Sequence, residues 1–241
     1  RKEERTDSDE LRFTQYALLD RAADYFAQAR KPRAEWKKLD DLSAQLAEFD
    51  LRCAANDYDT AASVLTEIDF DYLLLWGYYR LLIDLHMRVK DKLWDRSLIM
   101  SNMNSLGLAY SYIGRIEDAI PFFEAGLHAA REVKNRGWES AFLGNLGNRY
   151  AALGDSRKAI EFYEQALVTR REIGDHLGEG VDLGNLGSAY MALGDSLKAI
   201  EFYEQALLIA QKLGNRRNEG AILSNLGNVE KALNRNERAV E

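Results

Sequence analysis

Residues 144–183 open GNLGNRYAALGDSRKAIEFYEQAL, and residues 184–223 open GNLGSAYMALGDSLKAIEFYEQAL. The two blocks are identical at 24 of 40 positions. The chain is therefore built from a tandem unit, which has to be read before any single motif. A weaker copy, SLGLAYSYIGRIEDAIPFFEAGL, runs from Ser105 to Leu127. A fourth, NLGNVEKALNRNERAV, begins at Asn225 and carries only the start of its second half.

The spacing within the unit predicts two helices. Leu146, Tyr150 and Leu153 recur at steps of three and four, which places them on one helical face. Gly154-Asp155 breaks the pattern, with Asp155 or Ser156 set to cap the next helix. Ala159, Ile160, Tyr163, Ala166 and Leu167 form the inner stripe of that second helix, and Gly174-Asp175 ends it. Small residues recur where the helices would cross: Gly107, Gly147, Gly187 and Gly227 on the first helix, Ala119, Ala159, Ala199 and Ala239 on the second. A glycine inside a helix costs about 1 kcal/mol against alanine, so its recurrence points to close helix contact, or to a copied ancestor.

Leu146-Gly147, Tyr150, Ala159, Tyr163 and Ala166, and again Leu186-Gly187, Tyr190, Ala199, Tyr203 and Ala206, resemble the tetratricopeptide repeat (TPR) pattern. The usual period is 34 residues; the longer one here is similar to that of the kinesin light chain and spindle-orientation adaptor branch. The pattern departs at Gly126, which replaces the last small alanine, at Glu230, which replaces the tyrosine, and in lacking the closing proline. The resemblance covers residues 101–241, read as three full repeats and a truncated fourth. It implies an all-α fold, a right-handed solenoid of antiparallel helical hairpins, and a role in binding proteins or peptides without catalysis.

Upstream, residues 1–33 read as one helix, frayed over 1–7 and capped at Ser8 or Asp9. Leu11, Leu18, Leu19, Ala22, Ala23, Phe26 and Ala29 lie on its inner side, and Arg30-Lys31-Pro32 ends it. Residues 34–100 read as divergent helical pairs continuous with the array, or as a separate helical domain. Trp36, Leu39, Leu42, Leu46, Phe49 and Leu51 share one helix and Ala61 to Leu65 another. FDYLLLWGYYRLLIDL, residues 70–85, is apolar enough to be buried on several sides. Gly77 marks a turn or a close contact, and Pro121 near a helix start predicts a mild kink.

Composition excludes several functions. A net charge of −7 argues against a nucleic-acid or anionic-membrane surface. Cys53 is the single cysteine, so no internal disulfide forms, and it reads as a small buried apolar residue. His86, His128 and His176 lack partners at ligand spacing. No phosphate loop, dinucleotide fingerprint or nucleophile elbow is present. Glu161, Glu164 and their repeats read as a solvated face. No cofactor and no metal are expected. The run Leu73–Trp76 is far too short to span a bilayer, and with no signal peptide a cytoplasmic location is expected. The start at Arg1 and the stop inside a repeat predict a fragment, continued past residue 241, whose last helix frays or self-associates through Leu223, Leu226 and Leu233.

One constellation suits recognition. Asn145, Asn185 and Asn225 occupy one repeat position, with Ser105 in the first copy. Asn148, Ser188 and Asn228 follow one turn later. Asparagine offers both a donor and an acceptor, so a row of them could hold the backbone of an extended peptide. The resemblance implies the same, since such asparagines line the concave groove in similar TPR proteins. The plain alternative is a polar residue carried along by duplication. Ala152, Ala192 and Ala232 would leave the groove open. Arg149 and Lys231 are its candidate cations, while Val181 and Ala221 stand where readers of acidic peptides carry arginine.

A second resemblance rests on RKPRAEWKKLDDLSAQLAEFD and YDTAASVLTEIDFDYLLLWGYYRLLIDL, leading into Gly-Asn-Leu-Gly repeats. It is similar to the TPR half of bacterial signal-transduction ATPases of the STAND class (NB-ARC or NACHT type), which implies a sensor region. The rival readings are a free-standing assembly scaffold and a receptor for a short signalling peptide that regulates an enzyme.

Overall fold

The computed structural model describes the backbone of residues 7–240 and the side chains of residues 14–233. The cap at Ser8 or Asp9, the inward placement of Leu11 and the crossing position at Ala239 concern side chains outside that range, and residues 1–6 lie wholly outside it. The described backbone is helical: α1 (Asp7–Gln28), α2 (Ser43–Ala54), α3 (Tyr58–Ile68), α4 (Tyr79–Val89), α5 (Arg96–Tyr112), α6 (Ile116–Glu132), α7 (Arg136–Ala152), α8 (Ser156–Ile173), α9 (His176–Ala192), α10 (Ser196–Lys212) and α11 (Arg216–Val240). The helices fall into two compact units, divided between Arg115 and Ile116.

In the first unit, α1 packs on α2, α2 on α3, and α4 on α5. Phe49, Leu65, Ile68, Leu73 and Leu82 make its core. The sequence pattern misleads at several places. Trp36 to Leu42 do not join the helix of Phe49; Trp36 follows a short 3₁₀ turn, Arg33–Glu35, and Leu39–Leu42 form a second. Asp41 accounts for this. Its carboxylate accepts from the Lys31 ammonium at 2.6 Å and from the backbone N–H groups of Lys37 and Lys38. These partners, Lys31 foremost, hold the carboxyl at about 2.

The apolar stretch after α3 is the second place. It forms a wide π turn over Asp69–Leu74 that closes at Gly77, with φ of +81°. Leu73 and Leu74 point inward, but Phe70 is 56% and Leu75 68% exposed. On α1, Leu18 is likewise exposed while Ala23 is buried. Ser105, expected to start the asparagine row, is instead buried beside α4. It donates to Asp69 at 2.7 Å, and His86 lies between Asp69 and Asn102, with Nδ1 2.6 Å from Asn102 Oδ1.

In the second unit each helix from α6 to α11 packs on the next, and α7, α9 and α11 also follow one another directly. This is the expected solenoid of antiparallel hairpins. The turns repeat in detail. Gly154, Gly174, Gly194 and Gly214 adopt positive φ, the left-handed geometry that ends a helix most cheaply at glycine. Lys134 takes the same geometry at φ of 55°. The next residue always caps the following helix. Asn135, Asp155, Asp175, Asp195 and Asn215 each accept the backbone N–H three residues on, at 2.9 to 3.2 Å.

The helix-internal glycines at two crossings have a packing reason. A Cβ at Gly147 would stand 2.5 Å from the Tyr163 ring, and one at Gly187 2.7 Å from Tyr203. Gly126 meets the same need in a different way: its missing side chain makes room for Phe142, whose Cζ would lie 2.3 Å from a Cβ there. The start of the second half of the fourth copy does not form a separate helix, since α11 runs on to Val240. Leu226 and Leu233 of α11 pack against the core, and Leu223 is half exposed.

Candidate functional site

The asparagine row falls on the odd-numbered helices of the second unit. Asn145, Asn148 and Arg149 lie on α7, Asn185 and Ser188 on α9, and Asn225, Asn228 and Lys231 on α11. Their spacing in the tandem unit becomes spacing across adjacent helices. The structure brings Asn185, Ser188 and Asn225 together around an open cavity of about 180 Å³ between α9 and α11. Gly180, Val181, Gly184, Asn218, Ala221 and Ile222 complete its lining. Asn148 joins from α7 by accepting a long 3.4 Å hydrogen bond from Asn185 Nδ2.

The row divides into two kinds of position. Asn148 and Ser188 serve the fold. The Tyr163 hydroxyl donates to Asn148 Oδ1 at 2.8 Å, and Ser188 Oγ pairs with the Tyr203 hydroxyl at 3.0 Å. Both tyrosine rings are buried, and a buried hydroxyl without a partner would be costly. Burial, then the nearby charge of Asp182, pushes the Tyr163 hydroxyl up to about 12, so it stays a donor. Asn185 and Asn225 are half-buried and line the cavity.

The candidate cations stand apart from this cavity. The Arg149 guanidinium lies 5.8 Å from the Phe123 ring centroid, over α6. Lys231 is exposed farther along α11. The cavity wall at Val181 and Ala221 is uncharged and exposed.

Sequence reading missed how the hairpins are joined. Glu139 accepts from Arg131 at 3.0 Å and from Arg136 at 2.5 Å. Forty residues on, Glu179 accepts from Arg171 at 2.7 Å and lies 3.3 Å from His176. Another forty on, Glu219 accepts from Gln211 and Arg216. Each clamp ties the end of one helix to the start of the next. Burial pushes the Glu139 and Glu179 carboxyls up, but their basic partners prevail and hold them below the usual range. The recurrence of Glu139, Glu179 and Glu219 at the repeat period was the available signal.

The space behind the clamp is filled differently at each junction. Between α6 and α7 the Trp138 and Phe142 rings stack at 5.4 Å. At the equivalent positions between α8 and α9 stand Gly178 and Asp182, and Arg170 fills the gap. Its Nε donates to Asp182 and its Nη1 to Asp175, both at 2.6 Å. Asp182 is 1% exposed. Burial pushes its carboxyl up to about 6, because the guanidinium that pulls the other way is shared with Asp175. A Cβ at Gly178 would stand 2.0 Å from Arg170 Nη1. Ala210 and Ile222 hold the same positions between α10 and α11, with no charge.

A larger open recess of about 630 Å³ lies among α6, α7 and α8, lined by Arg131, Glu139, Leu143, Glu161, Glu164, Gln165, Val168 and Thr169. Its one arginine is already bound to Glu139 and Gln165. Among the described residues no group of three or more His, Cys, Asp or Glu side chains could hold a metal ion, and no helix is long and apolar enough to cross a membrane. Burial pushes the half-buried Cys53 thiol up, away from the reactive thiolate.

The comparisons with known proteins agree with the geometry. A family model described as Tetratricopeptide repeat matches residues 98–172 and 182–241. No curated protein matches the chain. Among solved structures, TPR-like repeats assigned to a kinesin light chain of Podosopora anserina are 18% identical, with a TM-score of 0.54 over 82% of this chain and 89% of that one. A Rap protein complexed with Competence and Sporulation Factor is 13% identical, with a TM-score of 0.59 over 96% and 74%. A STAND protein with a tetratricopeptide repeat sensor, from Pyrococcus horikoshii, is 16% identical, with a TM-score of 0.56 over 99% of this chain and 39% of that one.

Proposed function

The chain belongs to the tetratricopeptide repeat family, and on that footing we propose that it is a non-catalytic, cytoplasmic module that holds a protein or peptide along α7, α9 and α11. The observation that carries this reading is the cavity where Asn185 and Asn225 meet across two helices. Both side chains are amides, able to donate to and accept from a peptide backbone at once. The net charge of −7 disfavours nucleic acid. Replacing Asn185 and Asn225 by alanine tests the reading: partner affinity should fall while melting stays unchanged.

The finer role we propose is the ligand-sensing region of a larger STAND-type signalling ATPase. The upstream stretch that resembles such sensors and the similarity of fold to the Pyrococcus horikoshii protein support it. The complete open reading frame checks this role. A nucleotide-binding module encoded in the same chain supports the sensor, and its absence favours an assembly scaffold or a receptor for a signalling peptide. The Rap complex keeps the receptor reading in play. Self-association through α11 would rest on Leu223, the most exposed of the three leucines expected there; sedimentation across a range of concentrations tests it.

A further inference from the structure

We infer that the cavity between α9 and α11 receives one uncharged aliphatic side chain of an extended peptide, an inference that rests on the groove reading above. None of its nine lining residues is ionisable. Ile222 forms a buried apolar floor, Val181 a wall that is 42% exposed, and the amides of Asn185, Asn218 and Asn225 surround them. A charged guest would lose its water with no opposite charge to replace it, which is strongly unfavourable. An aliphatic guest gains by leaving water. The volume of about 180 Å³ lies below the roughly 300–1,000 Å³ of sites that enclose a whole small molecule. It suits one side chain of a longer ligand, with the asparagine amides beside it to hold the flanking peptide groups.

Gly184 supplies a second, independent observation. It sits inside α9, where glycine is unfavourable against alanine. Gly187, one turn on, is required because a Cβ there would strike Tyr203. A Cβ at Gly184 would meet nothing within 4 Å. Packing within the protein does not ask for glycine there, and its effect is to leave the α9 backbone bare where the cavity opens. The equivalent floor position one repeat earlier is Asp182, already bound by Arg170. The apolar floor is thus not repeated between α7 and α9, and one such position would fix the register of a bound peptide.

The test uses a phage-displayed library of random linear peptides, selected on the full chain. Three variants are then compared: Gly184→Leu, Gly184→Ala, and Asn185→Ala with Asn225→Ala. Gly184→Leu fills the cavity from a position with free space, so it should melt no lower than the parent. The inference expects recovered peptides to share one aliphatic position. Their affinity should fall about tenfold or more in Gly184→Leu and less in Gly184→Ala. Peptides that need the asparagines but bind Gly184→Leu unchanged, or that share an acidic residue instead, would overturn the inference and leave the groove standing. Failure to recover any peptide sensitive to either change would overturn both.

Discussion

The Tyr163 hydroxyl on α8 donates a 2.8 Å hydrogen bond to Asn148 Oδ1 on α7, and so ties the two helices of one hairpin together. One repeat later the Tyr203 hydroxyl pairs with Ser188 Oγ at 3.0 Å. Asn148→Ala should therefore destabilise the protein, by about 1–3 kcal/mol, because it strands a buried hydroxyl. Adding Tyr163→Phe to that variant should recover part of the loss. Urea unfolding of the two variants checks both statements, and an Asn148→Ala midpoint equal to the parent's would show that the bond contributes nothing.

Two glycines one turn apart should respond in opposite directions. Gly187→Ala forces a Cβ to within 2.7 Å of Tyr203, and overpacking of that kind costs about 1–3 kcal/mol. Gly184→Ala meets open space and should gain about 1 kcal/mol of helix propensity. Thermal melts of the two single variants decide it; equal shifts would contradict the packing described here.

Arg170 and Asp182 form a buried pair at one junction only. Arg170→Ala alone should cost about 3–5 kcal/mol, since it leaves a buried carboxylate without its partner. Arg170→Ala with Asp182→Ile copies Ala210 and Ile222 of the next junction. Replacing a buried ion pair by apolar residues is often neutral or stabilising by about 1–4 kcal/mol, so the double variant should at least match the parent. A double variant weaker than Arg170→Ala would show that the pair packs better than any apolar filling.

The same pair sets a pH dependence. Burial raises the Asp182 carboxyl to about 6, above its unfolded value of 3.8. The folded state therefore binds its proton more tightly. Asp182 contributes more stability as pH falls from about 6 toward 4, and that contribution is lost as pH rises through about 6. Glu139, Glu179 and Asp175 act in the opposite sense, because their folded values are lowered. Comparing the parent with Asp182→Asn isolates the one group. The parent should gain on the variant between about pH 7 and pH 5. A constant difference across that range would mean that Asp182 does not titrate there.

The repeat period made most of the second unit legible. Gly154-Asp155 and its copies were readable as helix ends and caps because both jobs depend on local backbone geometry. Gly147 and Gly187 were readable as crossings, though not the tyrosine that demands them. What the sequence hid depends on contacts between distant residues. Trp36 to Leu42 carry a helical pattern, but Asp41 gathers Lys31 and two backbone N–H groups into a turn. Ser105 occupies the row's position in the repeat, yet Asp69 claims it. Asn148 and Asn185 look alike in the sequence. The Tyr163 hydroxyl engages Asn148, whereas Asn185 lines the cavity with Asn225.

The most direct measurement is the affinity of one library-derived peptide for the parent and for the Asn185→Ala, Asn225→Ala variant, with the melting temperature of each. Two lost side-chain hydrogen bonds of about 0.5–1.5 kcal/mol each should weaken binding about 5- to 150-fold, with melting unchanged because neither side chain belongs to the core. An affinity equal to the parent's, in a variant that melts like the parent, would contradict a role for this groove in binding.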